Sequence, residues 1–416
     1  MKRGLAILLA LVVLAAAAAA AFLSYRHQLM HNIRGSTTEF VPTEPKPTPP
    51  PAPSLSWEMF GVDPSRRAVA TFAADLRPPF RRVWTSGVPS LVEFPPVIGY
   101  GRLFFADGAG RIFAISAKTG KRSWTFNARH GVAATPALGP YKHGTLYESF
   151  LNKLPSRTKN ANEGVVIAVA VGSGKERWRA HIGASETSPL LVGNRLYVGA
   201  WNGKVYALDA RTGRQLWTFQ THGAVKGGLA ASGTQLFVGS YDGHIYSLRA
   251  RTGKLIWRGS TESRFFHRGR FYATPVVAYG RVYVGSTDGG MYSFGATTGK
   301  TRWVHRTGSY VYGSAAVWHE RVYVGSYDHY FYCFDAATGD VRWRFHANGP
   351  ISGSATMIDG VVYFATLKGR TYALAARTGK QLWSYPRGKY APAVSDGKHV
   401  FVTGYSAVYS MAPVRR

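Results

Sequence analysis

The stretch that decides the fold is GNRLYVGAWNGKVYALDARTGRQLW, from Gly193 to Trp217, which is followed by a copy, GTQLFVGSYDGHIYSLRARTGKLIW, from Gly233 to Trp257. In both stretches, short apolar runs alternate with two tight turns built on glycine. Glycine accepts the positive φ of such turns, which residues with a Cβ disfavour. Each stretch therefore predicts three antiparallel strands joined by two turns.

The same unit recurs along the chain, and a tryptophan marks each copy. Five of the seven gaps between these tryptophans are 39 or 40 residues. A fourth, inner strand of small residues is expected in each unit, as in Gly313–Ala316 and Gly353–Thr356. Repeated units of about 40 residues with four antiparallel strands predict an all-β, eight-bladed β-propeller. The eight marker residues are Trp84, Trp124, Trp178, Trp217, Trp257, Trp303, Trp343 and Trp383.

The two ends of the repeat region complement each other. The last unit, Ala391–Pro413, has three predicted strands and no tryptophan strand, whereas Phe80–Trp84 is a tryptophan strand with no strands before it. We expect the N-terminal strand to pair with the C-terminal strands and so close the ring. A closed ring leaves no exposed sheet edge.

The repeat resembles a known family. The pattern AxDxxTGxxxW is matched fully by Ala207–Trp217 and nearly by Cys333–Trp343. It is similar to the tryptophan-docking repeat of the PQQ-like, or quinoprotein-type, propellers, and the resemblance covers residues 57–416. The lead-in Trp57–Arg66 also resembles the segment that precedes the first blade in that family. The resemblance implies eight blades, as the tryptophan count does.

The family includes enzymes that hold pyrroloquinoline quinone (PQQ) and a non-catalytic, BamB-like branch. The resemblance implies that the dehydrogenases need an adjacent pair of cysteines, calcium ligands and a catalytic carboxylate. Cys333 is the sole cysteine of this chain, and no calcium-ligand set can be matched. We therefore predict no catalytic residue, no metal and no cofactor. A PQQ-dependent or other quinoprotein-like oxidoreductase, with PQQ and calcium, is the alternative.

The N-terminal region predicts a location outside the cytoplasm. After a basic start, Leu5–Leu23 is an uncharged run of 19 residues, long enough for a membrane-spanning helix. We predict a signal anchor over residues 1–24, a proline-rich linker over 25–56 and the propeller over 57–416. The protein would then be a single-pass membrane protein with an extracytoplasmic propeller. Cleavage of the segment as a signal peptide would instead make it secreted.

The net charge of +30 lies mostly in the propeller, because residues 80–416 hold 43 Lys and Arg against 16 Asp and Glu. Many cations follow the turn between the third and fourth strands, which predicts one basic face. Anionic lipids, wall polymers or acidic glycans are the partners that such a face would attract. Nucleic acid is not expected for an exported protein. The basic-face residues are Lys121, Lys175, Arg214, Lys254, Lys300 and Lys380.

The opposite face, called here the loop face, receives the connections between blades and the turns between second and third strands. Two insertions break the repeat there, at Leu151–Gly164 and Glu262–Arg270. Loops on a rigid scaffold commonly carry function, so this face is the predicted binding face for a ligand or partner. Its candidate residues are Arg264, Phe265, Phe266, His267, Arg270, Trp201, Tyr241, Tyr310, Tyr312 and Tyr327.

The repeat tryptophans are expected to be structural, each wedged between neighbouring blades. The sequence contains no GxSxG, HExxH, phosphate-loop or CxxC motif. Together these features favour a non-catalytic, protein-binding or assembly scaffold at the cell envelope, with envelope or membrane proteins as partners.

Overall fold

The computed structural model describes residues 11–21, 31–43, 55–72, 76–155, 160–264 and 267–414. Residues 11–21 are helical. Within the described ranges, no helix has the length and apolar character needed to cross a membrane. Residues 1–10 and 22–24 of the predicted anchor, which spans residues 1–24, lie outside those ranges.

Eight antiparallel sheets form the blades of the predicted propeller. Three strands precede the blades: β1 (Leu55–Trp57), β2 (Val69–Ala70) and β3 (Phe80–Gly87). Blades 1 and 2 comprise β4 (Val97–Gly99), β5 (Arg102–Asp107), β6 (Arg111–Ser116) and β7 (Arg122–Asn127), then β8 (Ala137–Gly139), β9 (Thr145–Phe150), β10 (Gly164–Ala170) and β11 (Glu176–Ile182). Blades 3 and 4 comprise β12 (Leu190–Val192), β13 (Arg195–Gly199), β14 (Lys204–Asp209) and β15 (Gln215–Gln220), then β16 (Leu229–Ser232), β17 (Gln235–Gly239), β18 (His244–Arg249) and β19 (Leu255–Ser260).

A short hairpin, β20 (Ser263–Arg264) and β21 (His267–Arg268), separates these blades from the next. Blades 5 and 6 comprise β22 (Val276–Ala278), β23 (Arg281–Gly285), β24 (Gly290–Gly295) and β25 (Thr301–Arg306), then β26 (Ala316–Trp318), β27 (Arg321–Gly325), β28 (Tyr330–Asp335) and β29 (Val341–His346). Blades 7 and 8 comprise β30 (Thr356–Ile358), β31 (Val361–Ala365), β32 (Thr371–Ala375) and β33 (Gln381–Tyr385), then β34 (Val394–Ser395), β35 (Val400–Thr403) and β36 (Ala407–Pro413).

The core lies between the blades. The second and third strands of a blade are buried along almost their whole length, as in β13 and β14, because a neighbouring blade covers each side. The fourth strand is partly exposed, and in β15 every residue is either exposed or half-buried. This gradient explains why the middle strands read as continuous apolar runs while the outer strand carries charge.

Each repeat tryptophan from Trp84 to Trp343 docks on the next blade in the same way. The indole Nε1 of Trp217, for example, donates to the carbonyl oxygen of Ala250 at 3.1 Å. The ring of Trp217 also lies under Gly253, where an added Cβ would come within 2.6 Å of it. The Thr-Gly turn and the tryptophan therefore form one joint between two blades, which accounts for their joint recurrence in the sequence.

Blade 8 is built from both ends of the repeat region. Strand β3 pairs antiparallel with β36, from Phe80 opposite Pro413 to Gly87 opposite Ala407. Because blade 8 has no Thr-Gly turn, Trp383 lacks the standard joint and packs edge-on against Phe80 instead, with ring centroids 5.2 Å apart.

The lead-in segment, residues 55–72, runs inside the ring along the inner strands. Strand β1 extends blade 1, and β2 extends blade 7 by parallel pairing, so these two sheets have five strands instead of the predicted four. Between them, successive carbonyl groups of the lead-in accept hydrogen bonds from inner-strand amides of blades 2, 4, 5, 6 and 7. The donors are Leu138, Ala231, Val277, Val317 and Met357.

Buried Arg66 anchors this segment at the axis. Its guanidinium donates to the carbonyl oxygens of Leu229 at 2.8 Å and Pro189 at 3.1 Å, and also to those of Ser188 and Phe60. Burial lowers the pKa of Arg66 to about 9, which leaves it charged at neutral pH. The lead-in therefore fills part of the central channel and is held there by main-chain acceptors.

The inner strands begin later than predicted. Most of Gly313–Ala316 and Gly353–Thr356 lies in the loops before β26 and β30, and only the last residue of each stretch belongs to the strand. Small residues are needed in these loops because the loops crowd together at the axis. A Cβ on Gly313 would lie 2.4 Å from the carbonyl oxygen of Gly353.

Residues 31–43, within the range predicted as linker, lie against blades 5 and 6. The amides of Gly35 and Val41 donate to the carbonyl oxygens of Thr338 and Tyr279 at 2.9 and 3.1 Å. Buried Arg281 donates to the carbonyl oxygens of two residues in the segment, at 2.8 and 2.6 Å. The segment thus contacts the side of the disc that carries the turns between third and fourth strands.

Candidate functional site

A cavity of about 320 Å³ lies at the loop-face end of the propeller axis. Its walls come from the loops that precede the inner strands and from residues that follow the second strands. Phe60 of the lead-in contributes to the lining from inside the ring. The volume is at the lower end of the range typical of small-molecule sites.

One position of the repeat supplies most of the polar wall. In blades 1 to 7 it lies six residues before the last residue of the inner strand, and in blade 8 the corresponding loop contributes Tyr390. We call these residues the mouth ring, and all except Ala133 line the cavity. In blade order the mouth ring is Glu93, Ala133, Glu186, Lys226, Tyr272, Tyr312, Ser352 and Tyr390.

One side of the mouth ring carries the carboxylates. Glu186 accepts a hydrogen bond from the indole of Trp201 at 2.7 Å and forms an ion pair with Lys226 at 2.9 Å. The ammonium of Lys226 also lies 4.3 Å from the centre of the Trp201 ring. Glu93 is exposed to the cavity, and among the described residues it has neither a hydrogen-bond donor nor an ion-pair partner. Burial raises the pKa of Glu93, and repulsion by Glu186 adds to this.

The other side of the mouth is aromatic. The rings of Tyr241, Tyr272, Tyr312 and Tyr327 form a chain of contacts, with successive centroids 6.3, 5.2 and 5.0 Å apart. Burial raises the pKa of all four hydroxyl groups, so they stay protonated at neutral pH. The charges of Glu186 and Glu93 raise the pKa of Tyr272 further, as expected when the carboxylates face the tyrosines across one cavity.

The side chains of this cavity are suited to recognising a charged group or an aromatic surface. Tyrosine faces attract cations, and a carboxylate supplies a full negative charge beside them. Among the residues that the structure describes, no group of three or more His, Cys, Asp or Glu is placed to hold a metal ion. Cys333 is buried within β28, where burial raises the pKa of its thiol to about 12. The donor set therefore does not match the cysteine pair and calcium ligands that the dehydrogenase resemblance implies.

Several predicted loop-face residues meet at this site. Tyr241, Tyr312 and Tyr327 line the cavity, whereas Tyr310 contacts Tyr312 from outside and is 48% exposed. The guanidinium of Arg270 lies 5.4 Å from the Tyr241 ring.

The rest of the predicted 262–270 cluster is less fully defined. Arg264 and His267 pair in the β20–β21 hairpin. Phe265 and Phe266 lie outside the described residues.

Sequence reasoning missed Glu93, Glu186, Lys226 and Tyr272. The signal that could have found them is the register of the repeat. Once the units are aligned on the turn after the inner strand, these four residues occupy one column. Two of the few acidic residues of a basic chain in a single column would have indicated a site at the axis.

The six predicted basic-face residues are all exposed. Each lies just after the turn that connects the third and fourth strands of its blade, and these turns emerge on the side of the disc opposite the cavity. Residues 31–43 cover part of this face, where Glu39 pairs with Arg302 at 2.6 Å. The cations and the cavity are therefore separated by the thickness of the propeller.

Eight blades, with a tryptophan–glycine joint at seven of their eight junctions, define a propeller of the PQQ-like type. The chain belongs to the PQQ-like repeat family whose model is described as outer membrane protein assembly factor BamB. That model matches residues 77–147, 162–227, 202–311 and 308–411.

Comparison with individual proteins agrees with this assignment. The chain is 30% identical over 159 residues to outer membrane protein assembly factor BamB of Burkholderia pseudomallei (strain K96243), which covers 37% of this chain and 38% of that protein. The matched stretch thus spans well under half of that relative.

Two solved structures share the fold at low identity. One is BamB from Moraxella catarrhalis, with a TM-score of 0.64, 18% identity and coverage of 80% of this chain and 100% of that one. The other is quinohemoprotein alcohol dehydrogenase from Comamonas testosteroni, with a TM-score of 0.72, 14% identity and coverage of 86% and 81%. The fold is therefore common to scaffolds and enzymes, and it does not choose between these functions.

Proposed function

We propose that this protein is a non-catalytic scaffold that binds or assembles proteins at the cell envelope. The observation that carries the proposal is the match to the BamB family model along nearly the whole propeller. The geometry agrees with it, because the lead-in occupies part of the axis and the loop face offers exposed aromatic side chains such as Tyr310. Exposed aromatic residues are typical anchors of protein interfaces.

The proposal includes an extracytoplasmic propeller tethered by a single-pass N-terminal segment. Residues 31–43 support this orientation, since they approach the propeller on its basic face. A tether entering there would turn the cations toward the membrane and leave the loop face free for protein partners. Anionic lipids, wall polymers or acidic glycans would then be secondary contacts of the basic face.

The scaffold function is tested by site-specific photocrosslinking in intact cells. A photoreactive phenylalanine analogue replaces Tyr310 on the loop face, and a matched probe replaces Lys254 on the basic face. We expect discrete crosslinks to envelope proteins from position 310 and weaker ones from position 254. Loss of the protein should also lower the amount of assembled outer-membrane proteins. Crosslinks of equal pattern from both faces, with unchanged envelope protein levels, would contradict the proposal.

A second candidate is a PQQ-dependent oxidoreductase, and the observation that supports it is the axial cavity. It is tested by titrating the full chain with PQQ and calcium while following thermal unfolding and absorbance. A saturating rise in melting temperature with a bound-quinone spectrum would favour the enzyme, because a ligand of the native state stabilises it. No shift would favour the scaffold.

A further inference from the structure

We propose that the cavity at the mouth ring binds an organic cation, a protonated amine or guanidinium group held by Glu93 against the tyrosine rings. This site is independent of the scaffold function. The ligand is either a small molecule or a basic side chain of a peptide, since both present the same charged group.

The mouth ring contains one more carboxylate than its own cation can neutralise. Two carboxylates, Glu93 and Glu186, and one ammonium group, that of Lys226, belong to the mouth ring. Lys226 is already paired with Glu186 and lies over the rings of Trp201 and Tyr241, at 4.3 and 5.3 Å. Glu93 is thus the carboxylate with no partner among the described residues, and the ring as a whole lacks one positive charge.

The aromatic wall of the cavity has a shape that suits a cation. Tyr272, Tyr312 and Tyr327 meet edge to face, with interplanar angles of 73° and 76°, so that the wall offers ring faces as well as edges. The chain's own cations already use such faces at the rim. Arg270 lies over Tyr241, and Lys389 lies over Tyr390 at 5.0 Å. A ligand cation in the cavity would make the same type of contact.

The fold holds Tyr390 of the mouth ring in an unfavourable backbone conformation. Its φ is +63°, a value that bulky residues seldom adopt. Its carbonyl oxygen would lie 1.8 Å from a Cβ on Gly353, so the glycine of the neighbouring loop is required to accommodate it. Such strain persists where the surroundings impose it, and it is concentrated at binding sites.

The positive charge of the basic face is compatible with binding of a cation at the mouth ring. The six predicted basic-face cations are on the opposite side of the disc, at the turns between third and fourth strands. At physiological ionic strength, interactions of exposed charges are screened over about 8 Å. The basic-face cations therefore do not set the preference of the mouth, where Glu93 acts among Lys226, Arg270 and Lys389, which already lie over tyrosine or tryptophan rings.

The test is isothermal titration of the full chain with n-butylguanidinium and with n-butylurea, a neutral molecule of nearly the same shape. Two peptides separate the sources of the cation: acetyl-Gly-Arg-Gly-amide and the same peptide with citrulline in place of arginine. We expect each charged probe that enters the cavity to bind at least about 10-fold more tightly than its neutral partner. Binding of the free guanidinium alone would indicate a small-molecule ligand, and binding of the peptide alone would indicate a side chain.

Variants locate the binding. Glu93→Gln should weaken binding of the charged probe about 10-fold or more without lowering the thermal stability, because Glu93 supports no other described residue and its charge is repelled by Glu186. Glu320→Gln, an exposed glutamate on the opposite face, is the matched control and should have no effect. Tyr312→Phe should retain binding, whereas Tyr312→Leu should weaken it. Equal binding of butylguanidinium and butylurea, or unchanged binding in Glu93→Gln, would overturn the proposal.

Discussion

At the scale of single residues, the joint between blades depends on glycine as much as on tryptophan. Gly213 has φ +74° and lies over the Trp178 ring, where a Cβ would approach within 2.6 Å. Gly193, in the same blade, has φ +59° but open space around its Cβ position. Substitutions at these two glycines therefore distinguish the cost of backbone strain from the cost of displacing the tryptophan ring.

We therefore expect Gly213→Ala to be more destabilising than Gly193→Ala. The second change adds only the strain of a positive φ, about 1 kcal/mol, whereas the first must also displace an indole and should cost about 3 kcal/mol or more. Urea unfolding of both variants checks this. Equal losses of stability would mean that the joint tolerates displacement of the ring.

Glu58, beside the axis, should make stability depend on pH. Burial, with repulsion by Asp63, raises the pKa of Glu58 from 4.5 to about 7. The folded protein then binds a proton that the unfolded chain has lost, so this contribution is full below pH 4.5 and is lost as the pH rises toward 7. Over this interval the unaltered protein should lose about 1 to 2 kcal/mol of unfolding free energy through Glu58, after allowance for partial exposure. The Glu58→Gln variant should not show this loss. Parallel pH profiles for the two proteins would contradict this.

At the scale of elements, the tryptophan-marked strands and their turns could be predicted, because each is specified by local pattern. The docking of residues 31–43 could not, since it depends on contacts across more than 200 residues, such as Arg281 with Thr38. The lead-in was recognised by resemblance, but its path around the axis depends on main-chain bonds that carry no sequence signature. The mouth ring was missed because its members differ in chemistry although they share a register.

The contacts of residues 31–43 can be tested at Arg281. We expect Arg281→Met to increase hydrogen exchange of the amides of Gly35 and Val41, because the segment loses two hydrogen bonds to a buried charged group. Arg321→Met is the matched control at the equivalent position of blade 6, where the guanidinium contacts the Arg377 carbonyl instead. Unchanged hydrogen exchange in Arg281→Met would contradict this expectation and would show that the remaining contacts hold residues 31–43 in place.

At the scale of the whole molecule, the six predicted basic-face cations lie on the side of the disc opposite the cavity. If the basic face attracts anionic surfaces, the triple change of Lys121, Lys175 and Lys254 to Gln should weaken binding to phosphatidylglycerol vesicles by a factor on the order of 100, at about 1 kcal/mol per lysine. Vesicle sedimentation at two salt concentrations measures this. The control replaces Lys204 and Lys368, which lie on the loop face, and equal weakening by both sets would contradict a polarised surface.

The mouth ring also bears on how such a molecule diversifies. The same joint recurs at seven of the eight junctions between blades, yet the mouth ring varies in chemistry and includes acidic, basic, hydroxyl, aromatic and methyl side chains. Because seven of these eight side chains line the cavity and take no part in the joints between blades, we do not expect a change at one of them to disturb the fold. A new ligand preference then requires changes of side chain at the axis, including coupled positions such as Glu186 and Lys226, but no new architecture.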